Sequence, residues 1–302
     1  MKLAIKRPNN WPILKNNSKI HVIFPAFACN NDEKLKIKQF LKNWNLEAIF
    51  YDAQEINNLT FLANSDQDRL NELKNSLNSD NSDIIFCASG GYGSSRIIPQ
   101  LLQSSIAVKN KLFLGFSDIT SLHLAFNNYF KIPTLHSPML KQMAQGDIGQ
   151  KSIDFLYQIL TQQELELFYN ICPLNDLAKN ISNINLPQLL GGNLSLIQTS
   201  IGTNWQINKN GKYCMLIEEY DEKSYAIDRM LNHLQNANIF DNCQAIFIGD
   251  ISKIENHKYL TEILNSFISN INIPIFKIDD IGHENQNLAI PLGVEVMRVL
   301  HN

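Results

Sequence analysis

Over the first 140 residues, short apolar runs alternate with stretches whose apolar residues recur every three or four positions. The runs lie at residues 21–27, 47–50, 83–87 and 112–116. None alternates apolar with polar, which is the pattern of strands buried on both faces of a parallel sheet. Between them, residues 32–44 carry Leu35, Ile37, Phe40 and Leu41, and residues 68–77 carry Leu70, Leu73 and Leu77, at helical spacing. Residues 94–102 and 119–130 complete the helical set. The β-α-β-α order predicts a doubly wound, Rossmann-like parallel sheet. In such a sheet, ligands meet the loops at the carboxyl ends of the strands.

From about residue 141 to 188 the alternation is lost. The stretch is polar, with a helical piece at 152–160 and a turn at Pro173-Leu174-Asn175-Asp176. Residues 146–186 therefore read as a connection between an N-terminal domain, 1–145, and a C-terminal domain, 187–302. The second domain opens on Leu189-Leu190-Gly191-Gly192-Asn193-Leu194-Ser195, read as a glycine turn leading into a helix. Strands are expected at 213–218, 245–248, 273–276 and 294–300, with helices at 224–235 and 259–267, a mixed α/β unit.

Composition narrows the class. A chain of 302 residues, 44% hydrophobic and 18% charged, is that of an ordinary globular protein, long enough for two cores. A net charge of -3 gives no electrostatic case for nucleic acid or an anionic membrane. Cysteines at 29, 87, 172, 214 and 243 are odd in number and form no C-x-x-C, so free thiols in a reducing compartment fit better than disulfides or zinc. No run of 18 apolar residues occurs, so no membrane insertion is expected. Lys2, Lys6, Arg7, Lys15 and Lys19 precede the first apolar run, but that run is short, broken by Pro25 and rich in β-branched and aromatic residues. It reads as a strand rather than an export signal. A cytoplasmic location follows as the expectation, with the periplasm as the alternative.

Candidate chemistry concentrates at Leu114-Gly115-Phe116-Ser117-Asp118-Ile119-Thr120. Strand, tight turn and helix follow one another there with a serine at the apex, and the spacing half-matches the nucleophile elbow G-x-S-x-G. Ser117 is thus either a nucleophile or, with Asp118, a helix cap. Gly90-Gly91-Tyr92-Gly93-Ser94-Ser95 also follows a strand and opens a helix. It reads as an anion nest, as an oxyanion-hole loop, or as a tight turn. Of seven histidines, His283 stands in a polar loop just after a strand, free to enter a cleft, whereas His123 packs in or faces out from a helix. The strand ending Glu218-Glu219 offers two acids on opposite faces, of which one can orient a given histidine.

Together these segments resemble the LD-carboxypeptidase family of serine peptidases, which includes the microcin C immunity peptidases. The matching pieces are Gly90-Gly91-Tyr92-Gly93, Gly115-Phe116-Ser117-Asp118-Ile119-Thr120, Leu190-Gly191-Gly192-Asn193-Leu194-Ser195, Leu216-Ile217-Glu218-Glu219 with Ile227-Asp228-Arg229-Met230-Leu231, and Gly282-His283 with Pro291-Leu292-Gly293. The resemblance implies a Ser-His-Glu triad of Ser117, His283 and Glu218 in a cleft between two domains. It also implies an oxyanion hole of the Gly91 and Asp118 N–H groups, no metal or other cofactor, and a homodimer. The implied activity is hydrolysis of an L-D bond in murein peptides, releasing terminal D-alanine from the tetrapeptide. The alternatives are a microcin-type peptide-nucleotide amidohydrolase and a non-enzymatic anion-binding module. Gly90, Tyr92, Arg96 and Arg229 are the candidates for substrate binding. Two departures stand out: Ser89 where the family usually carries arginine before the glycines, and Ser137 where it often carries glycine, which is expected to add bulk near the cleft.

Overall fold

The computed structural model describes residues 1–51, 61–104, 111–181, 185–254, 256–294 and 297–300. Two sheets organise them. In the first, strands Glu47–Phe50, Lys19–Ile23, Ile84–Cys87, Leu112–Gly115 and Thr134–His136 lie side by side in that order, all parallel. The chain enters at Lys19–Ile23, steps to one side, then crosses to the other. The loops after Lys19–Ile23 and Ile84–Cys87 therefore diverge, which opens a crevice at the carboxyl edge.

The second sheet has eight strands. Leu189–Asn193, Tyr213–Tyr220, Cys243–Ser252 and Ile275–Ile278 are parallel, and Glu166–Pro173, Lys2–Lys6, Met297–Leu300 and Asn185–Leu186 continue it antiparallel. Strand parity joins the two sheets. Val22, Phe86 and Leu114 from the first sheet and Cys214, Leu216, Phe247 and Phe276 from the second share one core. Ile23, Ile85 and Phe113 point the other way, into a core with Leu73, Ile97 and Leu122 on flanking helices. Met215, Ile217 and Ile246 do the same in the second sheet, against Ile227, Leu231 and Leu260.

Several expectations change. The first strand ends at Ile23, because Pro25 cannot donate to the ladder, and residues 24–28 become a crevice loop. The basic N-terminal stretch contributes a strand, Lys2–Lys6, whose Leu3, Ala4 and Ile5 are buried. The stretch read as a connection carries helix Gln150–Thr161 and strand Glu166–Pro173, which pairs with Lys2–Lys6 and with Ile275–Ile278. Its buried Leu167, Tyr169 and Ile171 alternate with outward residues, the period-2 signal of a half-buried antiparallel strand. Leu189–Asn193 is a strand and not a glycine turn. A Cβ on Gly191 would stand 2.2 Å from Leu216 O, so glycine permits the close pairing. In the expected last strand, 294–300, residues 295 and 296 lie outside the described residues, and Met297–Leu300 is a strand. Cys29, Cys87, Cys214 and Cys243 are buried free thiols, and Cys172 is an exposed one. Among the described residues no helix is long and apolar enough to cross a membrane.

Candidate active site

Strand Leu112–Gly115 delivers Ser117 to the carboxyl edge of the first sheet. The serine takes φ +60°, a left-handed conformation rare for a residue with a side chain, and opens a 3-10 turn, Ser117–Ile119, that leads into helix Thr120–Leu124. A Cβ on Gly115 would meet Ile119 Cγ2 at 2.9 Å and Cys87 Cβ at 3.1 Å, so the turn needs that glycine. Gly115 O accepts hydrogen bonds from Ser137 N (3.0 Å) and His123 Nε2 (2.8 Å). Burial pushes His123 down to about 4, so its ring is neutral: Nε2–H donates, and Nδ1 accepts from the Thr134 hydroxyl at 2.8 Å. This histidine braces the elbow from within the core.

Neither Ser117 nor Asp118 caps its own helix. The Asp118 carboxylate turns back and accepts from Ser94 N at 2.8 Å, while Ser94 Oγ donates to Asp118 O at 2.6 Å. It thereby caps helix Ser94–Gln103 and ties the elbow to the glycine loop. That loop comes very close to the serine: a Cβ on Gly90 would stand 3.2 Å from Ser117 Cβ and 3.4 Å from its Oγ. Gly91 takes φ +103° with the Phe27 ring packed where a side chain would be. Phe27 N donates to Gly90 O (3.1 Å), and Ser89 Oγ donates to Phe27 O (2.8 Å). Beneath both loops the buried Arg69 donates to Pro25 O and, at 2.8 Å, to Gly93 O. The sequence reading missed Arg69; its only local sign is Asp66 one helical turn earlier, its ion-pair partner.

The second sheet supplies the other two groups. His283 lies where the chain leaves Ile275–Ile278 and crosses to Ile290–Leu292, which pairs with Thr134–His136 in the first sheet. The crossing is pinned: Asp250 N donates to Ile281 O (2.7 Å), Leu288 N to Asp280 O (2.6 Å), and Asn287 N to Ser152 Oγ (2.9 Å). His283 Nε2 is 3.0 Å from Ser117 Oγ, and Nδ1 is 2.7 Å from Glu218 Oε2. The Glu218 side chain is fully buried at the carboxyl end of Tyr213–Tyr220, and its Oε1 makes no hydrogen bond among the described residues. The imidazole is held between Phe116 (centroids 4.7 Å apart) and Tyr220 (4.7 Å, stacked at 20°). Glu219 faces away. It accepts from Asn193 Nδ2 (2.8 Å), Ser195 N (2.8 Å) and Ser195 Oγ (2.7 Å) at the start of helix Leu194–Thr199.

A cavity of about 250 Å³ opens over Ser117 and His283. Gly90 and Gly91 line it, as do Phe27, Met139, Lys141 and Gln142, which the sequence reading did not single out. The last three follow the fifth parallel strand, Thr134–His136, which the sequence reading did not predict, so the carboxyl-edge rule had no strand end there to point from. The other substrate-binding candidates lie elsewhere. Arg96 makes a bidentate ion pair with Asp66, and Tyr92 is exposed beside Phe61. Arg229 lies over the Tyr225 ring on helix Ser224–Asn236. Ser137 is fully buried with its N–H on Gly115 O, so its bulk packs into the sheet and not into the cleft. Among the described residues, no group of three or more His, Cys, Asp or Glu side chains could hold a metal ion.

Comparison with known proteins matches most of the chain. A family model described as the LD-carboxypeptidase N-terminal domain matches residues 20–137, and one described as the C-terminal domain matches 187–297. A putative carboxypeptidase of Rickettsia conorii is 36% identical, over 91% of this chain and 85% of its own. A probable murein peptide carboxypeptidase of Bacillus subtilis is 30% identical, over 93% and 89%. Among solved structures, muramoyltetrapeptide carboxypeptidase from Oxalobacter formigenes superposes with a TM-score of 0.75 at 20% identity, covering 93% of this chain and 97% of that one. The microcin immunity protein MccF in complex with glutamyl sulfamoyl guanosine gives 0.77 at 15%, covering 98% and 99%. These two likenesses are of fold.

Proposed function

The chain belongs to the LD-carboxypeptidase family, and on that premise we propose that it is a serine-type LD-carboxypeptidase that releases terminal D-alanine from murein tetrapeptides. The observation that carries the reading is the hydrogen-bonded line from Ser117 Oγ through His283 to Glu218, 3.0 and 2.7 Å, assembled from both sheets. With Glu218 accepting from Nδ1–H, the free lone pair of His283 is on Nε2, facing the serine hydroxyl.

In the proposed reaction, His283 Nε2 takes the Ser117 proton as Oγ attacks the carbonyl of the L-centre. The Gly91 and Asp118 N–H groups receive the oxyanion of the tetrahedral intermediate. The intermediate collapses, the C–N bond breaks, and the proton on Nε2 passes to the departing amine of D-alanine. Water, deprotonated by the same nitrogen, then hydrolyses the acyl-enzyme. Glu218 stabilises the imidazolium in each half-reaction. Phe116 and Tyr220 keep the ring in the plane it needs.

The test is incubation with a defined murein tetrapeptide, read by mass spectrometry, beside Ser117→Ala. Loss of one alanine by the wild type alone is expected, unaffected by EDTA. Turnover by Ser117→Ala would remove the nucleophile assignment. A wild type that leaves the tetrapeptide intact but cleaves a peptide-nucleotide amide would move the substrate to that class.

A further inference from the structure

Among the described residues, the cavity over Ser117 has one lysine or arginine in its lining, Lys141, and no carboxylate. Its ammonium is not a loose surface group. Nζ lies 2.7 Å from Glu33 Oε1, with 31% of the lysine side chain exposed. Glu33 is itself fixed, because its Oε2 accepts from Asn30 N at 2.8 Å in the capping box of helix Asn31–Asn43. The Lys141 backbone is fixed as well: its N–H donates to Ala88 O at 3.0 Å, at the root of the glycine loop. The charge is thus held in register with the loop that approaches Ser117 Oγ. An ammonium has three donors and Glu33 takes one, so the others remain for a ligand. Arg96 and Arg229, the cations the sequence brought forward, are engaged on Asp66 and Tyr225 away from this cavity.

We infer that Lys141 is the subsite for a free carboxylate of the substrate, resting on the reading of the Ser117 cavity as a peptidase site. A substrate cut one residue from its end carries a carboxylate close to the scissile bond. A preorganised cation beside the serine would select that end and bring the bond over Oγ. An amide or a longer chain would offer the ammonium no second anion beside Glu33.

Calorimetric titration of the full-length Ser117→Ala protein with an acyl-L-residue-D-alanine dipeptide, as free acid and as amide, tests this without turnover. A charge-assisted contact predicts that the acid binds about 10- to 100-fold more tightly than the amide. Lys141→Met should bring the two affinities together, and Lys141→Arg should retain most of the preference. The exchanged pair, Glu33→Lys with Lys141→Glu, keeps the bridge between the helices and should favour the amide. Equal affinity for acid and amide in the Lys141 protein overturns the subsite, as does binding of neither at millimolar concentration. A preference that survives in a folded Lys141→Met protein does the same. Tetrapeptide turnover by the unsubstituted enzyme, assayed alongside, separates the two readings. An acid preference without turnover removes the proposed substrate and leaves the subsite; turnover without an acid preference does the reverse.

Discussion

Glu218 and Glu219 are adjacent in the chain, yet Oε2 of the first lies 2.7 Å from His283 Nδ1 and Oε2 of the second lies 2.7 Å from Ser195 Oγ. Strand alternation sends one acid toward the cleft between the sheets and the other under helix Leu194–Thr199. The pair therefore sets one acid on the proposed catalytic histidine and the other on the scaffold, at neighbouring positions. Glu218→Gln is expected to fold and to lose about 10³- to 10⁴-fold in kcat, because the imidazole tautomer and the imidazolium lose their partner. Glu219→Gln is expected to keep most of kcat and lose about 1–3 kcal/mol of stability. Steady-state kinetics with denaturant unfolding of both variants would expose a reversed pattern at once.

The glycine loop is a second point of leverage. An alanine at Gly91 would place its Cβ 2.3 Å from the Phe27 ring at a φ of +103°. The loop has to shift, and with it the N–H proposed for the oxyanion hole. A fall in kcat of about a hundred- to a thousand-fold is expected. Adding Phe27→Ala removes the clash but not the backbone strain, so partial recovery in the double variant is the outcome to look for. Undiminished kcat in Gly91→Ala would detach this loop from catalysis.

A joint between the sheets can be probed at Thr120. Its Oγ1 accepts from Asn193 N at 3.0 Å, in the fully buried turn after the elbow. Thr120→Val keeps the shape and leaves a buried N–H without a partner, costing about 1–3 kcal/mol. Because Asn193 pairs in register with Glu218 and Thr120 lies three residues from Ser117, kcat should fall together with Tm. A drop in Tm with unchanged kcat would mean that the joint supports the fold and not the site.

Glu72 predicts the pH dependence. Burial, opposed by the Phe24 N–H and by Lys34 and Arg69, pushes its carboxyl up from the ordinary glutamate value of 4.5 to about 8. Between those values the folded protein holds a proton that the unfolded chain has released, so stability falls as pH rises through that window and levels off above it. Glu72→Gln, which has the shape of the protonated acid, should flatten this slope. It should raise Tm at pH 8.5 by roughly 2–4 °C for each kcal/mol relieved. Parallel Tm profiles from pH 5 to 9 for both proteins would place the titration elsewhere.

Much of the site was written locally. Gly115-Phe116-Ser117 reads as an elbow because strand, left-handed turn and helix are adjacent in the chain, and the turn's glycine is visible as a letter. The alternation in Tyr213–Tyr220 already placed Glu218 and Glu219 on opposite faces. His123 was not legible as a brace, since its partners, Gly115 O and Thr134 Oγ1, come from two other elements. Glu166–Pro173 was lost in a stretch that looked polar, because only one of its faces is buried and that face meets strands far away in the chain.

The sequence by itself determined four of the five parallel strands of the first sheet, the elbow, the glycine loop and the family, because each rests on periodicity or on residues a few positions apart. Only the tertiary structure decided which groups meet. Ser117 and His283 are 166 positions apart, and they come within 3.0 Å because the chain crosses from one sheet to the other at Ile290–Leu292. Arg96 and Lys141 are alike as letters, but an ion pair with Asp66 takes one out of the cleft and the bond to Ala88 holds the other in it. Such contacts between distant segments carry no periodic trace, since they depend on where the strands end in space.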